Sequence, residues 1–138
     1  MNARDNIHTV RLNGEAISEG DLPRILSFCT DDVEILPALS DKVPWARPWR
    51  GRKEAEQYFQ VLAEALEFQE YVMDEFIAND DSVVVIGHER CLVRSTMHVV
   101  EARWVQIFDF RDGRICRHRE YTDTAAWNAG FTNQNSSR

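Results

Sequence analysis

The stretch WVQIFDFRDGRICRHREYTDTAAW, residues 104–127, places two alternating segments around a short turn. The pair Asp112-Gly113 is a strong signal for a two-residue hairpin turn, because such a turn needs residues that accept a positive φ angle. The flanking residues alternate with a period of two, which is typical of half-buried strands. We therefore predict an antiparallel hairpin followed by a short C-terminal turn.

The same period of two continues upstream of this hairpin. It begins at Phe68, where a helical period of 3.6 stops, and it is interrupted only by polar turn segments. The pattern predicts an antiparallel meander of four strands over residues 68–77, 83–94, 99–110 and 115–123. Both faces of the long strands carry apolar residues, so we expect both faces of the sheet to be covered.

The first half of the chain is mainly helical. Apolar residues recur at helical spacing over 4–19, 22–29 and 52–67, with a short strand around Val33 and Ile35 between the second and third helix. Three prolines, Pro37, Pro44 and Pro48, favour a loop over residues 40–51 and its flank. Helices that precede an antiparallel sheet indicate an α+β fold. We expect one domain, residues 1–138, with a disordered tail over 132–138.

Composition limits the possible functions. The chain has 138 residues and a net charge of −7, which disfavours a nucleic-acid partner because phosphate binding needs a basic surface. Its three cysteines show no paired spacing, and no segment has the length of a membrane span or the pattern of a signal peptide. We expect a cytoplasmic protein without membrane contact, and the histidine spacing predicts no metal site. We also expect no cofactor.

Four motifs, in order along the chain, point to a known family. They are SEGDL, CTDDVEI, WRGRKEAEQYF and the segment 104–127. Together they resemble the NTF2-like superfamily, in its SnoaL-like and ketosteroid-isomerase-like branch. The resemblance implies a cone in which helices wrap a curved sheet around an apolar pocket. It does not fix the function, because this superfamily includes isomerases, cyclases, epoxide hydrolases, dehydratases and proteins that only bind.

The catalytic positions of the steroid isomerases are not kept. The resemblance places their general base at Leu36 and their two oxyanion donors at Asn13 and near Val105. None of these residues can transfer a proton or donate as the family's residues do. A steroid isomerase of that type is therefore not expected.

Other branches of the family imply a different set of catalytic residues. The epoxide-hydrolase pattern matches at Arg90 and at Glu120, but Leu92 stands where its aspartate should be. The SnoaL-type cyclases imply an acid at Asp123. The face that the family turns to its pocket would carry His88 together with Arg90, a pair that could polarise a carbonyl or bind a carboxylate.

Each acid also has a purely structural interpretation. Glu120 could pair with an arginine of a neighbouring strand, and Asp123 could cap the C-terminal turn. Strand alternation places His118 with Glu120, and Asp123 on the other face. With a regular two-residue turn, Val105 lies opposite Glu120, whereas a bulge would shift the register by one residue.

Aromatic residues are the candidates for lining a ligand pocket. Trp45 and Trp49 could close its mouth or cover a dimer edge, and Tyr58 could equally be part of the core. The expected ligand-binding residues are Trp45, Trp49, Tyr58, Leu92, Trp104 and His118.

Two functions remain open at this point. The first is a cofactor-free cyclase, isomerase, hydrolase or dehydratase that acts on a small apolar carbonyl compound by carboxylate acid–base chemistry. The second is a non-catalytic ligand-binding or dimerisation module with the same fold. In either case the apolar second face of the sheet predicts a homodimer.

Overall fold

The structure is a computed structural model that describes residues 2–133. Its elements are α1 (Ala3–Glu19), α2 (Leu22–Ser27), β1 (Cys29–Ala38), β2 (Trp49–Arg50), α3 (Gly51–Ala65), β3 (Leu66–Ala78), β4 (Ser82–Val93), β5 (Val99–Arg111), β6 (Arg114–Thr122) and α4 (Thr124–Gly130). The predicted α+β class is confirmed, with the first helices packed against a curved sheet that does not close.

The N-terminal helices begin and end where the sequence provides caps. The side chain of Asn2 accepts a hydrogen bond from the Asp5 backbone at the start of α1, and Gly20 ends α1 with a φ of 69°. The Asp21 side chain accepts from the Arg24 backbone at the start of α2. Since each of these residues satisfies backbone groups that a helix end leaves free, α1 and α2 form two separate helices.

The sheet has six strands in the order β2-β1-β6-β5-β4-β3. The predicted meander from β3 to β6 is confirmed, but the sheet is larger than predicted. β1 is ten residues long and pairs in parallel with β6. The predicted loop over 40–51 is wrong at its end, because Trp49 and Arg50 pair with β1 and α3 begins at Gly51. Pro48 does not prevent this, since proline is tolerated beside a short edge strand.

The hairpin between β5 and β6 has the predicted two-residue turn. Asp112 and Gly113 have φ angles of 52° and 78°. An irregularity beside Asp109 then shifts the register by one residue, so that Gln106 and not Val105 lies opposite Glu120. A β-bulge of this kind adds one residue to one strand of a pair. This bulge decides which β5 side chain joins Glu120 inside the fold.

The C-terminal segment packs on the sheet instead of leaving it. α4 contacts β5, and Trp127 is buried against Trp45. Thr132, which belongs to the expected disordered tail, donates hydrogen bonds to the Ala129 and Asn128 carbonyls. The remainder of that expected tail, 134–138, lies outside the described residues. Among residues 2–133, no helix combines the length and the apolar character needed to cross a membrane.

Candidate active site

The two faces of β4 separate its candidate residues. Its inner face, which packs towards the helices, carries Glu89 between buried apolar residues, whereas His88 and Arg90 point to the outer face. The expectation that His88 and Arg90 face the pocket is therefore wrong. Apolar residues alternate on both faces of β4, so periodicity alone did not distinguish the inner face.

The outer-face residues are engaged with each other. His88 Nδ1 lies 2.7 Å from an Asp74 carboxylate oxygen, and Arg90 donates from Nε to Gln69 at 3.2 Å. Leu92 lies on the same outer face, half-buried, and so does not line the cavity expected for it. All of these side chains are separated from the helices by the sheet.

Asp123 is exposed at the end of β6. Its side chain accepts a hydrogen bond from the Ala126 backbone at 3.0 Å and thereby caps α4. Of the two interpretations of this residue, the structure places it in the cap and outside the cavity. Asp123 is therefore not among the residues that line the internal cavity.

An internal cavity lies between the inner face of the sheet and the helices. Its free volume is about 30 Å³, room for about two water molecules. The lining side chains are Ile17, Leu39, Trp45, Tyr58, Phe59, Leu62, Leu66, Phe68, Tyr71, Glu89, Gln106, His118, Glu120 and Trp127. The set is aromatic and apolar except for a few polar groups on the sheet side, and none of these described residues is a lysine or an arginine.

Four of the expected site residues line this cavity, namely Glu120, His118, Trp45 and Tyr58. The other two tryptophans are buried behind the lining. Trp49 donates from Nε1 to the Trp45 carbonyl at 3.0 Å, and its ring meets Tyr58 edge-on. Trp104 stacks on Tyr71, with ring centroids 5.2 Å apart. The expected direct ligand contacts of Trp49 and Trp104 are therefore wrong, and both residues support lining residues instead.

Gln106 connects the polar groups of the cavity. Its amide nitrogen donates to the Tyr71 hydroxyl oxygen at 3.0 Å and to a Glu120 carboxylate oxygen at 3.4 Å. Its amide oxygen lies 2.9 Å from Nε2 of His118. An amide oxygen only accepts, so Nε2 of His118 carries the proton and donates it. The network leaves the Tyr71 hydroxyl proton free to point into the cavity.

The pKa values of the two carboxyl groups of the cavity, Glu120 and Glu89, are raised to different extents. Burial raises the pKa of Glu120 to about 7, against which the Gln106 hydrogen bond acts in the opposite direction. Glu89 is buried, and burial followed by the nearby charge of Glu120 raises its pKa well above its usual range. Burial therefore favours the protonated form of Glu89, which can donate a hydrogen bond, while Glu120 can exist in either form near neutral pH.

The neighbouring groups stay neutral. Burial lowers the pKa of His118 to about 4, and its ring stacks on Phe108 with centroids 4.2 Å apart. Burial, together with the charges of Glu89 and Glu120, raises the pKa of Tyr71. Tyr71 is consequently a hydrogen-bond donor at neutral pH, and Glu120 is the group of this cavity best suited to take up and release a proton.

Three residues of the site were not among the candidates, namely Glu89, Tyr71 and Gln106. Glu89 sits between His88 and Arg90 in GHERCL, and only the correct face assignment of β4 singles it out. Gln106 was missed for a similar reason, because only the register shift beside Asp109 places it opposite Glu120. Among residues 2–133, no group of three or more His, Cys, Asp or Glu side chains is arranged to hold a metal ion.

Comparison with solved structures gives the same architecture. An NTF2-like protein from Burkholderia xenovorans LB400 is 26% identical, with 96% of this chain and 99% of that chain covered and a TM-score of 0.87. TerC, co-crystallised with polyporic acid, is 22% identical over 92% and 98% of the two chains, with a TM-score of 0.81. A protein from Bacillus subtilis that is provisionally named an isomerase is 14% identical over 94% of each chain, with a TM-score of 0.82.

The fold and its internal cavity thus define an NTF2-like protein, as the sequence motifs predicted. The family model described as SnoaL-like domain matches residues 10–118, which is most of the chain. The chain belongs to the SnoaL-like domain family. The comparison with curated proteins found no match.

Proposed function

We propose that this protein is a cofactor-free acid–base enzyme that moves a proton on a small, neutral carbonyl compound, as an isomerase, cyclase or dehydratase does. The observation that carries the proposal is the convergence of Glu120, Glu89 and Tyr71 on one aromatic cavity. An apolar site with a few converging polar groups is typical of small-molecule enzymes. That TerC, which has the same fold, was crystallised with a small organic compound supports a ligand of this size.

The proposed reaction begins at Glu120. In its ionised form, Glu120 takes a proton from the carbon next to the substrate carbonyl; the electron pair of the broken C–H bond forms a carbon–carbon double bond, and the π pair of the carbonyl moves to its oxygen. Tyr71 and the protonated Glu89 donate hydrogen bonds to the negative charge that develops on this oxygen. Glu120 then returns the proton to another carbon or to the oxygen.

The network around Glu120 fits these roles. The Gln106 amide nitrogen donates hydrogen bonds to both Glu120 and Tyr71, so one side chain positions the base and the first oxyanion donor. Neutral His118 fixes the orientation of the Gln106 amide. Two carboxyl groups without a balancing cation in the lining disfavour an anionic group at the reacting end, because its charge would be poorly screened inside the cavity.

The test is carbon-bound hydrogen exchange, which reports the first proton transfer without requiring the natural product. 2-Tetralone, a neutral bicyclic ketone with a fused aromatic ring, is incubated with the protein in D2O, and loss of its α-protons is followed by NMR. We expect Glu120→Gln to slow the catalysed exchange by about 10²–10⁴-fold. The wild-type rate should rise with pH and level off above the Glu120 pKa of about 7, because only the ionised form is a base.

Glu70→Gln is the matched control, since Glu70 is an exposed carboxylate beside His88 on the outer face of the sheet. It should leave the exchange rate unchanged. Equal exchange by the wild type and Glu120→Gln would remove Glu120 as the base. Ketone binding without any exchange would favour the alternative function, a ligand-binding module of the same fold.

A further inference from the structure

A second, larger pocket lies directly beside the internal cavity. It has a volume of about 340 Å³ and is formed where the end of α1, α2, the second half of α3 and the start of β3 meet. Its apolar lining includes the buried Ile25, the half-buried Leu22 and the exposed Ala63, and its polar lining includes Glu19, Glu67 and Arg94. We refer to this pocket, lined by residues 17–20, 22, 25, 59, 60, 62, 63, 66–68 and 94, as the vestibule.

The vestibule and the cavity share one wall. The residues that line both are Ile17, Phe59, Leu62, Leu66 and Phe68. All five are apolar, and four of them are buried, whereas Phe68 is half-buried. The two spaces are therefore adjacent and share these five residues as a common wall.

The cavity is too small for a substrate unless the substrate extends across this wall. About 30 Å³ cannot hold an organic molecule, whereas small-molecule sites usually span about 300–1,000 Å³. The vestibule by itself falls within this range. A compound whose carbonyl reaches Glu120 must therefore place most of its body elsewhere, and the adjoining vestibule is apolar and open.

Phe68 is the least buried member of the wall. It lies next to an irregularity in the pairing of β3 with β4, between Phe68 and Glu70, and such bulges often redirect a side chain beside a functional site. Its ring also meets the ring of Tyr71 edge-on, with centroids 5.9 Å apart. A displacement of Phe68 would thus open the wall next to the proposed oxyanion donor.

We infer that the vestibule is the binding site for the apolar body of the substrate, and that Phe68 separates it from the acid–base cavity until the substrate enters. The substrate is then an elongated, neutral, largely apolar molecule with its reacting carbonyl at one end. The identity of that reacting group rests on the proposed function, whereas the position of the vestibule does not.

The test uses Nile red, a neutral apolar dye whose fluorescence rises on burial, in place of the unidentified substrate. Ala63 lines the vestibule but not the cavity, so Ala63→Trp fills the vestibule only. We expect this change to weaken dye binding by about tenfold or more, equivalent to about 1.4 kcal/mol. Glu64→Trp adds the same side chain at the next, exposed position of α3 and should bind as the wild type does.

A second pair of variants tests the wall. Phe68→Ala should tighten dye binding, because it joins the two spaces. Phe76→Ala is its control, since Phe76 is a half-buried phenylalanine of the same strand that lines neither space. Its ring packs under Arg11 instead.

The inference is overturned if Ala63→Trp and Glu64→Trp bind the dye equally, or if Phe68→Ala cannot be distinguished from Phe76→Ala. It is also overturned if neither the wild type nor Phe68→Ala binds the dye. These outcomes do not depend on ketone exchange. Loss of exchange activity with the expected dye results would remove the proposed reaction and leave the vestibule as a ligand site.

Discussion

Glu120 acquires its properties from its position on the inner face of β6. An exposed glutamate is ionised at neutral pH and is a weak base, whereas burial of Glu120 raises its pKa to about 7. Gln106 keeps this carboxyl group oriented, and Tyr71 is held by the same amide. The chemistry proposed for the site thus depends on four side chains from four adjacent strands, namely Tyr71 of β3, Glu89 of β4, Gln106 of β5 and Glu120 of β6.

The raised pKa of Glu120 has a consequence for stability that does not depend on catalysis. Between its ordinary pKa of 4.5 and about 7, the folded state holds a proton at Glu120 that the unfolded state has lost. The free energy of unfolding therefore falls as pH rises through this window. Glu120→Gln removes the effect, and we expect it to stabilise the protein at pH 8 by about 1–2 kcal/mol, a value reduced for the partial exposure of the side chain.

The measurement is urea unfolding of both proteins at pH 5 and pH 8. His118, whose lowered pKa acts with the opposite sign below its ordinary value, is present in both proteins and cancels in the difference. A stabilisation of equal size at the two pH values would contradict a raised pKa at Glu120.

At the scale of elements, β4 shows what alternation can and cannot establish. The sequence predicts the strand and its pairing, but its two apolar faces are nearly equivalent in composition. The inner face is identified by Gly87, where an added Cβ atom would collide with the Val72 carbonyl of β3 and with the Trp104 ring of β5. Close packing against β3 and against the aromatic layer at this point therefore requires a glycine.

Gly87→Ala should accordingly destabilise the protein by about 1–3 kcal/mol, because neither a backbone carbonyl nor a buried indole can move aside freely. Gly14→Ala is the comparison. There the only close contacts of the added methyl group are with the flexible end of the Met73 side chain, while the Tyr71 ring lies at an ordinary contact distance, and alanine favours the helix by about 1 kcal/mol. The midpoint of urea unfolding should be lower for Gly87→Ala than for Gly14→Ala. Similar midpoints for both would show that close packing at Gly87 does not require a glycine.

At the scale of the whole molecule, the helices that pack on the sheet contact its inner face, and the outer face remains without cover among the described residues. This outer face carries Val84, Ile86, Val105 and Ile107 at its centre and the exposed residues Ile77, Val99 and Tyr121 towards its periphery. An apolar surface of this kind favours association with a partner. We expect a homodimer formed through the outer face, as the sequence pattern predicted.

Sedimentation velocity at micromolar concentration should therefore give the mass of a dimer. Ile86→Arg places a charge at the centre of the outer face and should shift the protein to monomer. Met97→Arg is the control, because Met97 is more exposed, at 68%, but lies in the turn between β4 and β5. A monomeric wild type, or equal dissociation of both variants, would argue against this interface.

What the sequence determined by itself was local. Most helices and strands are set by local signals, because each signal depends on backbone preferences within a few residues. These signals are the helix caps at Asn2, Gly20 and Asp21, the turn at Asp112-Gly113 and the change of period at Phe68. Those elements, in their order along the chain, were also sufficient to identify the family.

The tertiary structure alone decided which residues meet. The bulge beside Asp109 placed Gln106 opposite Glu120, and the curvature of the sheet, together with the position of the helices, gave Glu89 an inner position and His88 an outer one. A shift of one residue exchanges the two faces of a strand, and both faces here are apolar enough to be buried. Long-range packing must select the register, and with it the cavity, because the local sequence is compatible with either choice.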